Sequence, residues 1–316
     1  MQFHLNYTPS KFDFEINHTH KLFLIGSCFS ENINHFLNDY KFKTYTNPNG
    51  ILFNPISISD CLGTILNNTS VHENVILQRE DVYLSYLHHS SINSSNKTLL
   101  LEKINTEIVK ANTFLKECDF LIITFGSAYA YRHLQLNHTV ANCHKQPASN
   151  FDKQLIPLNE IITNYSVVIK NLHNFNPKLK IIFSLSPVKY LKDGVIENNL
   201  SKSTLTIAIH EIIKQNSNCY YFPAFELVTD DLRDYRFYKE DLAHPNDLAI
   251  NYIWEKFSTT FFNSITCKLN DHIKKLNQAL NHRQMLSGNS EKTKLDSYIA
   301  KQKEELKKLH PEIDFN

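Results

Sequence analysis

Glycine is scarce in this chain, with 6 residues in 316. That excludes a collagen-like or glycine-rich repetitive chain and implies that each glycine marks a place where the backbone needs one. Cysteine pairing is missing as well. Cys28, Cys61, Cys118, Cys143, Cys219 and Cys267 stand singly, with no Cys-x-x-Cys among them. This argues against a disulfide framework and leads us to expect reduced thiols and a cytoplasmic protein. No apolar run approaches the ~18 residues needed to cross a bilayer. The start, Met1-Gln2-Phe3-His4-Leu5-Asn6, lacks the basic-then-apolar order of a signal peptide. Charge bias is absent too: 33 Lys and Arg stand against 32 Asp and Glu, a formal net charge of +1. Nothing here offers the electrostatic footprint of a nucleic-acid or membrane-surface partner.

What is present suits a folded domain. Hydrophobic residues make up 42% and charged residues 21%, enough to build a core. Short apolar strands alternate with longer amphipathic stretches, which predicts an α/β fold, a three-layer sandwich around a mainly parallel sheet. Leu22–Ile25 reads as a buried strand running into Gly26, with a helix from Ser30 to Leu37. Lys41–Tyr45 reads as a second strand, followed by a turn at Asn47-Pro48-Asn49-Gly50. Residues 75–87 read as a strand or hairpin insertion. Leu100, Ile104, Ile108, Ala111 and Leu115 form one helical stripe that leads to a strand at Phe120–Ile123. The cycle repeats with helices at Ile161–Leu172 and Thr204–Ile213, and strands at Ile181–Leu185 and Tyr220–Phe222. A last domain helix is expected over about 246–257, with Pro245 suited to its entry. The expected domain covers 1–259. The Lys-, Glu- and Leu-rich remainder, 260–316, reads as a helical extension broken at Ser287-Gly288-Asn289.

Two blocks carry chemistry. Gly26-Ser27-Cys28-Phe29 places nucleophile candidates at a strand-to-helix turn, where N–H groups at the helix start favour negative charge and lower a thiol's pKa. Each residue also has a plain reading, because a buried cysteine at a strand end is commonplace. Asp241-Leu242-Ala243-His244 is the second block. An Asp three residues before a His can bond one ring nitrogen and leave the other as a general base, although a capping Asp is the simpler role. In an open α/β sheet, loops after strands line one edge, so Gly26–Cys28, Gly126-Ser127, Ser186-Pro187 and the loop before Asp241 are expected together.

A nucleophile turn after the first strand with Asp-x-x-His near the domain end resembles the SGNH (GDSL-like) hydrolases. More closely, the chain resembles the GSCFA family over about residues 20–258. Further blocks carrying this resemblance are Asn47–Leu52, Ile123–Ala128, Ala141–Lys145, Ser186–Val188 and Leu232–Tyr238. Ser30 stands where the naming motif ends in Ala. The resemblance implies a hydrolase site of esterase or deacetylase type, built on a Ser/Cys-His-Asp arrangement: Cys28 or Ser27 as nucleophile, His244 as base, Asp241 orienting it. Aligning Gly26 with the glycine of Gly-Asp-Ser favours Cys28, while a slip of one favours Ser27. The third block's oxyanion-binding Asn is replaced by Ala128, which leaves Gly50, Gly126, Ser127 and Asn142 as donor candidates and His144 as a substrate contact. No cofactor is implied, and the expected partner is a small-molecule or glycan ester. Two rival readings stand beside this one. Cys28, Cys143, His144 and His244 would suit zinc if they converged, and the missing Asn suggests a non-catalytic ligand-binding protein. Arg132, Lys145, Lys189, Arg233 and Arg236 are scattered cations, any one of them suited to an anionic substrate group.

Overall fold

The computed structural model describes residues 5–285, 289–311 and 313–315. In chain order the strands are β1 (Lys21–Gly26), β2 (Lys43–Thr46), β3 (Ile76–Arg79), β4 (Val82–Ser85), β5 (Asn93–Ser94), β6 (Phe120–Phe125), β7 (Tyr129–His133), β8 (His138–Val140), β9 (Phe151–Leu155), β10 (Lys180–Leu185) and β11 (Cys219–Phe222). The helices are α1 (Cys28–Asp39), α2 (Pro55–Leu66), α3 (Lys97–Glu117), α4 (Leu158–Phe175), α5 (Val195–Gln215), α6 (Ala224–Glu226), α7 (Asp247–Phe261), α8 (Ser264–Met285) and α9 (Asn289–Leu309).

The central sheet runs β11-β10-β6-β1-β2, and each neighbouring pair is parallel. Strand residues alternate between two cores, as the period of two demands. Phe23, Ile25, Leu121, Ile123, Phe125, Ile181 and Phe183 face the layer formed by α2 to α5. Leu22, Leu24, Phe120, Ile122, Ile182 and Phe222 face α1 and α7, where Trp254, Phe257 and Phe261 complete the packing. The result is a three-layer α/β fold with a parallel sheet buried on both faces. Each fully buried aromatic contributes roughly 2–3 kcal/mol of transfer free energy.

Local sequence explains the boundaries. The five-residue stripe on α3 is buried as its spacing requires. Asn54 caps α2 by accepting from Ser57 N–H at 2.8 Å, with Pro55 at the first helical position. Pro245 does not open α7. Asn246 is the cap, accepting from Ala249 N–H, so Pro245 lies one residue outside. The helix expected from Thr204 begins at Val195, because its inward face carries polar Asn198, Ser201 and Lys202 ahead of Leu205, which hides the apolar period.

Two three-stranded antiparallel sheets are inserted, β3-β4-β5 and β8-β7-β9. The first occupies the expected hairpin region. The second has no counterpart among the expected elements, because its alternation is masked by Arg132, His133 and His138. After α7, helices α8 and α9 share their own apolar cluster of Leu269, Ile273, Leu276, Ile299 and Leu306, against which Tyr40 of the main body packs. The expected break falls partly on residues 287 and 288, and the N-terminal reading partly on residues 1–4, all outside the described residues. Among the described residues, no helix is long and apolar enough to cross a membrane.

Candidate active site

Counting only parallel strands, the sheet order reverses at β1, whose neighbours β2 and β6 lie on either side. Crossovers leave in opposite directions there, the arrangement that puts ligand sites at the carboxyl ends of open α/β sheets. The turn Gly26-Ser27-Cys28 stands at that point. Gly26 has φ +135°, and a Cβ on it would lie 2.1 Å from Thr124 O, so the strand can end this way only with glycine. Ser27 N–H then donates to Thr124 O at 3.1 Å.

The adjacent side chains of Ser27 and Cys28 have different fates. Ser27 is 1% exposed, and its Oγ caps α1 by accepting from Phe29 N–H at 3.3 Å. Cys28 is half-buried in the first helical turn. The N–H groups of Cys28 and Phe29 and the charge of Lys202 favour its thiolate, but burial, and then Glu31, outweigh them and push the thiol's pKa up. The expected lowering is therefore corrected: desolvation exceeds the helix-start effect.

Asp241 and His244 form a pair, with Asp241 Oδ2 2.7 Å from His244 Nδ1. The other carboxylate oxygen accepts from Ala243 and His244 N–H, each at 2.9 Å. These bonds hold the Asp241 carboxyl down at about 2. Both residues are exposed. Their loop is tied to the edge of the sheet by Lys189 N–H donating to Ala243 O at 3.0 Å, in the segment that follows β10. The aromatic run before the loop also packs on Lys189, whose Nζ lies 4.1 Å from the Tyr235 ring centre and 4.3 Å from that of Tyr238. Among the described residues, no hydrogen bond joins His244 to Cys28 or Ser27.

The oxyanion candidates separate sharply. Gly50 N–H donates to Asn47 O and Gly126 N–H to Phe53 O, so neither is free to receive a substrate oxygen. Ser127 is 6% exposed, with its hydroxyl engaged by Ser201 Oγ and Tyr129 N–H. Closure of these loops thus engages the Gly50 and Gly126 N–H groups, while Ser201 and Tyr129 engage the Ser127 hydroxyl. Asn142 uses its side-chain oxygen to accept from His144 N–H, and among the described residues its side-chain amide has no acceptor. His144 is 3% exposed, with Nε2 2.7 Å from Ser85 O at the end of β4. The proposed zinc set does not assemble. Among the described residues, no three His, Cys, Asp or Glu side chains come together as metal ligands.

One residue escaped the sequence reading. Lys202 Nζ is buried at this edge and donates to Gly126 O at 2.8 Å and Ser186 O at 2.7 Å. Its spacing from Asn198 and Leu205, four and three residues away, was the available signal that it faces inward.

No curated protein matches the chain. Among solved structures, a carbohydrate esterase of family 3 from Talaromyces cellulolyticus aligns at 11% identity over 81% of this chain and 99% of that one, with a TM-score of 0.35. An acetyl xylan esterase from the rumen bacterium Butyrivibrio proteoclasticus aligns at 11% identity over 77% of this chain and 63% of that one, at 0.40. A family two carbohydrate esterase from Clostridium thermocellum, in complex with cellohexaose, aligns at 10% identity over 77% and 64%, at 0.37. The chain thus spans less than two thirds of the latter two. The family model, by contrast, matches residues 21–257, a range that contains both the Gly26–Cys28 turn and the Asp241–His244 loop, and the chain belongs to the GSCFA family.

Proposed function

We propose that this protein hydrolyses an ester or related acyl bond of a small-molecule or glycan substrate, with Cys28 as nucleophile, His244 as general base and Asp241 orienting it, an arrangement that resembles the SGNH hydrolases. The observation that carries the assignment is the sorting at the β1–α1 turn. The Ser27 hydroxyl is buried and spent on the cap, whereas the Cys28 thiol is partly accessible over helix-start N–H groups. In the proposed reaction Cys28 Sγ attacks the carbonyl carbon as His244 Nε2 takes the thiol proton. The tetrahedral oxygen is met by Cys28 N–H, with the Asn142 amide as a second donor. Collapse breaks the C–O bond, and His244 returns the proton to the leaving alcohol. Water then adds to the thioester, with its proton passing to His244. Acid is released and the thiol restored. Turnover requires the exposed Asp241–His244 loop to close on Cys28 over bound substrate, as catalytic hydrogen bonds often tighten only in the complex.

The test is an ester and deacetylase panel, including p-nitrophenyl acetate and acetylated glycans, run on wild type, Ser27→Ala, Cys28→Ala and His244→Ala. Cys28→Ala and His244→Ala are expected to lose at least roughly 100-fold, while Ser27→Ala retains a measurable fraction. Full activity in both Ser27→Ala and Cys28→Ala would end the covalent reading. A second reading, a ligand-binding protein without turnover, is favoured by the missing hydrogen bond between His244 and the turn. Wild type that binds an acetylated glycan yet turns over no ester would select it.

A further inference from the structure

Lys202 projects from the inward face of α5 and is 3% exposed. Its two acceptors, Gly126 O and Ser186 O, are the first carbonyls past the carboxyl ends of β6 and β10. Gly126 lies two residues beyond Thr124, whose carbonyl receives Ser27 N–H, so the amine sits on the same edge as the nucleophile turn. A buried cation without a carboxylate partner is costly, and Lys202 belongs to none of the ion pairs among the described residues. A neutral amide would tie two carbonyls without that cost. The choice of lysine therefore calls for a negative charge that arises only part of the time. The ionisable group that acts on Lys202 is Cys28, whose thiolate raises the lysine's affinity for its proton, and the effect is mutual.

We propose that Lys202 is a positioning residue that supplies the buried positive charge against which Cys28 ionises, so that the thiolate exists as a pair with the Lys202 ammonium. This rests on the reading of Cys28 as nucleophile. The groups facing the thiol are the N–H groups of Cys28 and Phe29 and the carboxylate of Glu31 from α1, and the amine of Lys202 from α5. Of these, Glu31 opposes ionisation and the others favour it. Burial brings Lys202 down to about 7, so the counter-charge is itself available or lost near neutral pH until the thiolate stabilises it.

The experiment is the pH profile of Cys28 alkylation by iodoacetamide, followed by mass spectrometry, in wild type, Lys202→Gln and Lys202→Arg. Circular dichroism establishes that each variant is folded. Gln keeps an amide donor for the carbonyls but no charge, and its profile is expected to move up by about one pH unit, a roughly tenfold slower reaction at pH 7.5. Arg keeps the charge and is expected to retain the wild-type profile or move below it. An unmoved profile in folded Lys202→Gln, or equal upward shifts in both variants, would overturn the proposal. Wild type alone gives an independent measurement. The rate ratio of iodoacetate to iodoacetamide at Cys28 should exceed that of glutathione at pH 7, because the nearby cation attracts the anionic reagent. A ratio no higher than glutathione's would equally overturn it. The nucleophile reading is judged separately, by turnover of Cys28→Ala, and alkylation needs no turnover.

Discussion

Asp241 holds His244 from two sides: one carboxylate oxygen lies 2.7 Å from the ring Nδ1, and the other accepts the histidine's own backbone N–H at 2.9 Å. The carboxylate thus orients the imidazole and also closes the loop that carries it. Under the proposed mechanism, Asp241→Asn should lower kcat by roughly 10²–10⁴-fold, because an amide side chain stabilises the imidazolium poorly and permits the wrong tautomer. Steady-state kinetics check this, with His244 ring NMR reporting the tautomer. The carboxyl is held at about 2, below the ordinary carboxylate value near ~4. Its contribution to the loop is therefore complete above pH ~4 and lost as pH falls through about 2. Any loss of activity at pH 5 must come from another group.

Gly26→Ala should be among the most damaging single-methyl additions. The new Cβ meets the Thr124 carbonyl at 2.1 Å, and a φ of +135° strains any residue with a side chain. We expect a loss of at least about 3 kcal/mol, measured by urea unfolding. A loss below ~1 kcal/mol would mean that the β1–β6 contact is softer than its geometry.

His88 links stability to pH. Burial holds its ring down to about 3, with neighbouring His144 adding in the same direction. An imidazole whose folded pKa is lowered leaves the unfolded chain binding more protons. Its contribution is complete above the unfolded value near ~6.5 and declines as pH falls towards about 3. Unfolding free energy should drop by up to ~1.4 kcal/mol per pH unit from this group across that window. His88→Gln should flatten the slope in urea titrations between pH 6.5 and 4. An unchanged slope would assign the pH sensitivity elsewhere.

Truncation tests the proposed domain boundary. Helix α7 continues to Phe261, and Phe261 O accepts from Ile16 N–H, so a cut after residue 259 removes a buried final turn. A chain ending after Asn263 should fold and keep the Asp241–His244 pair, with a lower Tm because Tyr40 loses its α8–α9 packing and Asp39 O loses Asn277 Nδ2. Thermal melts of chains ending at 259 and 263 should separate the two, the shorter being the less stable.

Much of the architecture was legible because strand and helix periods announce themselves. The α3 stripe and the Leu22–Ile25 strand needed only counting. The β7–β9 sheet was not, since charged and histidine side chains on a sheet with one wet face look like loop. At the site, Asp241 and His244 are close in sequence, so their pairing was a local inference. Lys202 was hidden because an inward lysine on an amphipathic helix contradicts the pattern that identifies the helix. The donor state of Gly50 and Gly126 depends on where Asn47 O and Phe53 O fall in space, which no spacing encodes.

The inserted segments are tied to one another and to loops beyond the parallel strands: Tyr86 O receives Ala141 N–H at 2.8 Å, His89 N–H bonds Asn49 O beyond β2, and Lys153 of β9 pairs with Asp193 beyond β10. These segments contribute nothing to the parallel ladder. Substitutions there and substitutions in the ladder should combine nearly additively in stability.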